Sequence, residues 1–304
     1  MTVGLNSQNY LSTEPRKTIR SVLRTMIVVW AALAVGILSI SGAGAATLLV
    51  TSTADSGAGS LRAAIASATS GDTIQFQVGG TITLASELPV ITKNITIDGN
   101  GNNPVISGAG TYRPFFIGDA GTTGSIYAVT LKNLAIADAV AQGGAGLGAG
   151  AGAGLGGAIF VSSNGALTLA NVAVSNTQAK GGSVLDNPSQ VGGGGGMGGK
   201  SAPYTPGGGG GLFVGSDDNG SGAGGGPSGG AHHGGNGPQT GGAGGFASGG
   251  GGGSSNGGPV AGGAGGFGGG GGGANAGGAT TGGAGGYGGG GGSAAGSSTS
   301  IGGP

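Results

Sequence analysis

Three aspartates, Asp98, Asp119 and Asp138, each follow a run of strand-forming residues, and the gaps between them are nearly equal. If the chain winds in coils of that length, the carboxylates stack in a column on one face. Stacked carboxylates repel, so at least one pKa rises or a cation, with calcium the fitting ion, settles between them. Such a column, with Lys93, Arg113 or Lys132 beside it, is what a polysaccharide lyase or hydrolase would use. Turn chemistry explains each aspartate without catalysis, because Asp and Gly commonly end strands. The register is also uneven: Asp119 and Asp138 sit two residues after an isoleucine, Asp98 only one. The residues therefore favour strand ends, with no assigned catalytic, cofactor-binding or metal-binding residue.

Other chemistry is sparse. His232 and His233 are the only histidines and there is no cysteine, so a defined metal site or a Ser/His/Asp triad is not expected. The many G-x-G-x-x-G matches lie outside any strand–helix unit and carry no nucleotide meaning. Charged residues make up only 7% of the chain and the net charge is zero, which leaves no basic patch for nucleic acid.

The elements that would position these groups are short strands. Thr47–Thr53, Thr73–Gln77, Thr81–Leu84, Ile95–Ile97, Val105–Ser107, Phe115–Ile117, Ile126–Ile136, Ala158–Ser162 and Leu167–Val174 are β-branched or apolar runs broken by Gly, Asn and Pro. One helix is expected, Leu61–Ala68, capped by Ser60, with Leu61, Ala64, Ile65 and Ala68 on one face. The chain also repeats itself. Asn94-Ile95-Thr96-Ile97 matches Asn133-Leu134-Ala135-Ile136 and Asn171-Val172-Ala173-Val174, and the gap from Asn94 to Asn133 is almost that from Asn133 to Asn171. Half of either gap is about 19–20 residues, near one coil of a parallel β-helix. Asn133 and Asn171 are expected in turns.

The stretch Asp55-Ser56-Gly57 … Gly59-Ser60-Leu61-Arg62-Ala63-Ala64-Ile65 … Gly71-Asp72-Thr73-Ile74 … Asn94-Ile95-Thr96-Ile97-Asp98-Gly99 resembles the opening of bacterial extracellular β-helix proteins with a CSLREA-type start. These are similar to autotransporter passengers and polymorphic outer-membrane proteins. The resemblance spans 47–110 and continues loosely to Asn176; Gly59 and Ala63 stand where the family has Cys and Glu. It implies a short right-handed parallel β-helix whose N-terminal helix covers the open end.

The glycine is segregated: 58 of 86 glycines fall in 191–304. There GGAGGF at 241–246 recurs at 262–267 and, as GGAGGY, at 282–287. Phe246, Phe267 and Tyr287 are thus almost evenly spaced. Their interval is about 20 residues, which matches the coil period expected upstream. Two readings stay open: a flexible linker, or layers of extended, polyproline II-like glycine runs with one aromatic capping each layer.

At the other end, Arg16, Lys17, Arg20 and Arg24 precede the apolar run 26–40 and Ala43-Gly44-Ala45, the order of a secretory signal cleaved after Ala45. An uncleaved membrane anchor is the alternative. The expected organisation is therefore 1–45 signal, 46–190 β-helix with a Gly/Ala insert at 141–157, and 191–304 glycine-rich repeat.

The expected function is a non-catalytic, secreted or cell-surface structural or adhesive module that binds a surface, matrix or glycan. Membrane contact is expected only through the N-terminal segment. A β-helix polysaccharide lyase or hydrolase, and a glycine-rich ice or surface binder, are the alternatives.

Overall fold

The computed structural model describes residues 44–119, 124–185, 192–198, 201, 209–212, 240–253, 260–274, 280–294 and 304. The expected export signal and His232-His233 lie outside them. Ala45–Pro304 forms one compact unit. Among the described residues the fold is all-β with one short helix, and its named strands pair in parallel.

The strands are β1 (Thr47–Val50), β2 (Thr73–Phe76), β3 (Thr81–Thr83), β4 (Ile95–Asp98), β5 (Val105–Ser107), β6 (Phe115–Ile117), β7 (Tyr127–Gln142), β8 (Gly146–Leu147), β9 (Ile159–Val161), β10 (Gly165–Lys180), β11 (Val184–Leu185), β12 (Val260–Ala261) and β13 (Thr280–Thr281). The helix α1 (Leu61–Ser67) follows β1. The Ser60 hydroxyl accepts from Ala63 N, and Leu61, Ala64 and Ile65 are buried, as the apolar spacing predicts.

Strands β1–β7, β9 and β10 form three stacks, while β8 pairs with β11 and β12 with β13 apart from them. The first is β1-β2-β4 followed by the front halves of β7 and β10. The second is β3-β5 followed by the middle of β7 and β10. The third is β6-β9, with Ile91 bridged to Ile117. In the first stack Leu48, Ile74, Ile97, Leu131 and Leu169 lie in one inward ladder; in the second Ile82, Ile106, Ile136 and Val174 do the same.

One strand serves two stacks because its alternation slips at two residues. Inward positions in β7 are Val129 and Leu131, then Leu134 and Ile136, then Ala139. The extra residues are Asn133 (φ 56°) and Asp138 (φ 49°); in β10 they are Asn171 (φ 54°) and Asn176 (φ 48°). Asn and Asp tolerate this left-handed backbone better than other non-glycine residues. Each turns the chain through a corner and restores the apolar face inward.

The repeat expected from sequence is half right. Asn133 and Asn171 do align along the paired strands. The Asn94 segment does not join them: Ile95 pairs with Val129, not Leu134. Nor do the strand stacks have the even coil that half the repeat implied. Thr47, Thr73, Thr96, Thr130 and Thr168 are in register, at offsets of 26, 23, 34 and 38. Loops leaving at the corners absorb the differences. The even, short period belongs to the glycine-rich part, where β12 pairs with β13 as Val260 with Thr280.

The described glycine runs are packed layers. Amides of Gly241, Gly244, Ala247, Gly250 and Gly253 donate to carbonyls of Ala261, Ala264, Phe267, Gly270 and Gly273 in the following coil. Every third amide points the same way, which is the period of a polyproline II helix. Successive amides reach different neighbours: Gly249 to Gly210, Gly250 to Gly270, Gly251 to Gly242. The insert joins in, with Gly150 N donating to Gly271 O and Ala153 N to Gly268 O. The insert and the glycine-rich region therefore form one body. One ring per coil stacks on the next, Phe246 on Phe267 at 5.5 Å and 8°, Phe267 on Tyr287 at 5.3 Å and 4°.

Backbones this close leave no room for a methyl group. A Cβ on Gly270 would overlap the Gly150 carbonyl, whereas one on Gly181 meets nothing within 4 Å. Gly270→Ala should cost about 1–3 kcal/mol by overpacking, and Gly181→Ala should stay within about 0.5 kcal/mol of wild type. Urea denaturation of the two variants side by side checks this; equal losses would contradict the packed layers.

Candidate functional site

The three aspartates lie at three different kinds of position. Asp98 ends β4 and is buried. Its Oδ1 accepts from Asn133 Nδ2 at 2.9 Å and from Asn100 N at 2.9 Å, and its Oδ2 pairs with Lys132 Nζ at 3.0 Å. Burial pushes its pKa up, but the hydrogen bonds from Asn133, Asn100 and Lys132 outweigh this and hold the carboxyl below its ordinary value. Asp119 follows β6. Its Oδ1 accepts from Asn164 Nδ2 at 2.6 Å and its Oδ2 from the Tyr127 hydroxyl at 2.9 Å. Asp138 is a corner residue of β7, accepting from Asn176 Nδ2 at 2.5 Å.

The expected column of carboxylates is therefore corrected. Register places Gln75 on one side of Asp98 and Lys132 on the other. Asp138 is stacked with Asn176, and Asp119 is tied to Asn164. The equal spacing misled because the coils are unequal in length, so equal steps along the chain land on different corners. Among the described residues no group of three His, Cys, Asp or Glu side chains is placed to hold a metal ion.

The expected basic partners are engaged elsewhere, except Lys132. Lys93 Nζ donates to the carbonyls of Ile65 and Ala66 near the end of α1, at 3.3 and 3.1 Å. Arg113 is buried. Its guanidinium lies 5.1 Å from the Phe116 ring centre and 5.6 Å from that of Phe160, and its Nη1 donates to Leu155 O at 2.6 Å. Burial lowers its pKa to about 10, opposed by Glu87, so it remains charged at neutral pH. Desolvation in turn raises Glu87. Arg62 grips Asp55 Oδ1 at 2.6 Å and the Ser86 and Glu87 carbonyls. These contacts hold loops against the stacks and bring no two acidic groups together.

Two features of the surface were not anticipated. One is a ladder of amides running through the corners: Asn133 Nδ2 to Asp98 Oδ1, Asn171 Nδ2 to Asn133 Oδ1 at 3.1 Å, and Asn176 Nδ2 to Asp138 Oδ1. Its signal was present, since Asn133 and Asp138 are five apart, as are Asn171 and Asn176. The other is the outward column Thr47, Thr73, Thr96, Thr130 and Thr168. Parallel strands space it at about 4.8 Å per rung. A shallow recess lined by Gly71, Asp72, Asn94, Ile95, Thr96, Ala128 and Thr130 lies beside it. Asp72 is held below its ordinary pKa by the Thr69 and Ala46 amides.

No helix among the described residues is long and apolar enough to cross a membrane. No protein-family model, curated protein or solved structure matches the chain.

The depressed carboxyls set a pH dependence. A carboxyl whose folded pKa lies below its unfolded value contributes stability above the unfolded pKa, and loses it as pH falls through the folded one. Unfolding free energy should therefore fall between about pH 5 and pH 2 as Asp98 and Asp72 protonate. Asp98→Asn should be less stable at neutral pH and show a shallower acid dependence. Urea titrations at a series of pH values measure both; an unchanged acid slope in Asp98→Asn would refute the assignment.

Proposed function

We propose that this chain is an exported, non-catalytic surface module, built as a right-handed parallel β-helix with a polyproline II-like glycine bundle docked along it. Parallel pairing coil after coil supports the solenoid, and parallel connections within one sheet are overwhelmingly right-handed. The placement of α1, with Leu61, Ala64 and Ile65 in the core beside β1 and β2, supports kinship with the CSLREA-type extracellular proteins. The observation that carries the functional reading is how the ionised groups are used. Asp98, Asp119, Asp138, Arg62 and Arg113 each bind a strand end, corner or loop of the same chain. A polymer-cleaving enzyme needs convergent acids and bases within reach of substrate; a scaffold ties its charges to its own backbone and side chains, as these are tied. The module would hold a cell or matrix surface through broad outer faces, with mature residues 46–304 outside the cytoplasm.

A strain lacking the gene should attach less to surfaces and form less biofilm, and the secreted or envelope-bound protein should have the mass of residues 46–304. Normal attachment in that strain would remove the adhesive reading, and an intact N-terminus in the cytosolic fraction would remove export.

The threonine column favours a second reading, the surface or ice binder. The five hydroxyls are in register on an outward face, and the glycine layers supply the ordered backbone such a binder requires. Thr96→Lys and Thr130→Lys place a long charged chain in the column with little effect on the core. If the column meets ice or a hydroxylated solid, the wild type slows ice recrystallisation or adsorbs to the solid, and both variants lose the effect. No effect from the wild type, or an equal effect from the variants, would dismiss this reading.

A further inference from the structure

The stack is finished at one end and open at the other. Beside β1, α1 fills the core with Leu61, Ala64 and Ile65. At the far end β10 pairs with β7 along one edge, and its second edge pairs with no described strand. The ladders run out there with their apolar members uncovered. Leu169 is 49% exposed although Leu131, its neighbour in the ladder, is 0% exposed; Val174 is 48% exposed above Ile136 at 0%. The amide ladders stop there as well. Asn171 and Asn176 donate to the coil beneath, and their own Oδ1 atoms receive no hydrogen bond from a described residue.

Edges of this kind normally carry a lysine, a proline or a bulge that prevents pairing with another chain. β10 has no lysine and no proline over Gly165–Ala179, which contains no charged residue; Lys180 alone closes it. Its 16 residues present about 50 Å of backbone edge. The partner must therefore be neutral over the same length, bring apolar side chains to Leu169 and Val174, and carry amide donors for Asn171 and Asn176.

We propose that the β10 edge is a dimer interface, and that its occupant is the β10 edge of a second copy of this chain. β10 meets each requirement itself: it is uncharged over Gly165–Ala179, it exposes Leu169 and Val174, and its asparagines offer both donor and acceptor. A twofold axis across the open end brings the two strands together antiparallel, so Leu169 of each copy faces Val174 of the other and each contact is made twice, as in an isologous contact. Because α1 occupies the other end, the assembly closes at two copies and does not grow into a fibre. The interface is separate from the threonine column and from the adhesive reading, and its test does not depend on either.

The test is the solution mass of the full chain by light scattering and sedimentation over a wide concentration range, with amide exchange read along β10. The wild type should have twice the chain mass, with protected amides in 165–180. The double variant Leu169→Lys/Val174→Lys should have the single-chain mass, an unchanged circular dichroism spectrum and fast exchange in β10. Should that variant fail to fold, Thr177→Lys, which alters an exposed side chain of the same strand, serves in its place. It should weaken association by at least about tenfold, because each copy then places a charge without a partner in an uncharged seam. A wild type of single-chain mass overturns the proposal; with β10 protected, it would mean that a segment of the same chain, such as 213–239, covers the edge. A dimer unaffected by either variant overturns it equally, since pairing would then lie elsewhere.

Discussion

The structure depends on one interaction repeated: a backbone hydrogen bond from each coil to the coil beside it. In the strand stacks that bond fixes register, and register fixes which side chains meet. Leu131 lies on Ile97, and Ile136 on Ile106, because their backbones are paired. In the glycine layers the same bond operates with no side chains between the chains, so the coils approach until carbonyl oxygens occupy the space a methyl would need. Two regions of opposite composition thus obey a single rule. Where apolar side chains exist, they fill the interior. Where they do not, the backbones close the gap themselves.

The corners convert this rule into a fold. A continuous strand would run straight, and the inward alternation of β7 would carry Leu134 and Ile136 to the wrong side. Asn133 and Asp138 each consume one residue in a left-handed conformation, and the apolar phase resumes inward after each. The same residues then bond along the axis through their side chains, so the groups that bend the chain also tie neighbouring coils. Arg113 does comparable work between the regions. It is charged, buried and laid against Phe116 and Phe160, while Phe160 in turn meets Phe246 and Phe267 of the glycine layers. The aromatic column belongs to a second apolar cluster, apart from the interior of the stacks: Phe115 and Ile117 of β6 face that interior, while Phe116 faces Phe160, Phe246 and Met197 on the glycine side.

Local patterns were legible in the sequence and long-range register was not. The Ser60 cap and the Leu61, Ala64, Ile65, Ala68 face identified α1 to within one residue, because both signals lie inside one turn of helix. Strand centres followed from β-branched runs, and the longer repeat correctly paired Asn133 with Asn171. The Asn94 match failed because one Asn-apolar pattern serves two corners, and only the length of the intervening loops says which. Asp98, Asp119 and Asp138 failed as a column for the same reason. The order of the glycine runs could not be decided from composition, since it rests on contacts among segments such as 150–153, 192–197 and 268–273 that no local pattern connects.

The glycine coils also have a mechanical consequence. Hydrogen bonds linking one coil to the next lie across the direction in which a pull on the chain's end would peel it away. They would be loaded a few at a time and not all together. One coil runs from each aromatic ring to the next, Phe246 to Phe267 and Phe267 to Tyr287, so its release would free about 70 Å of extended chain. Under load the bundle would yield in discrete lengths, one coil at a time.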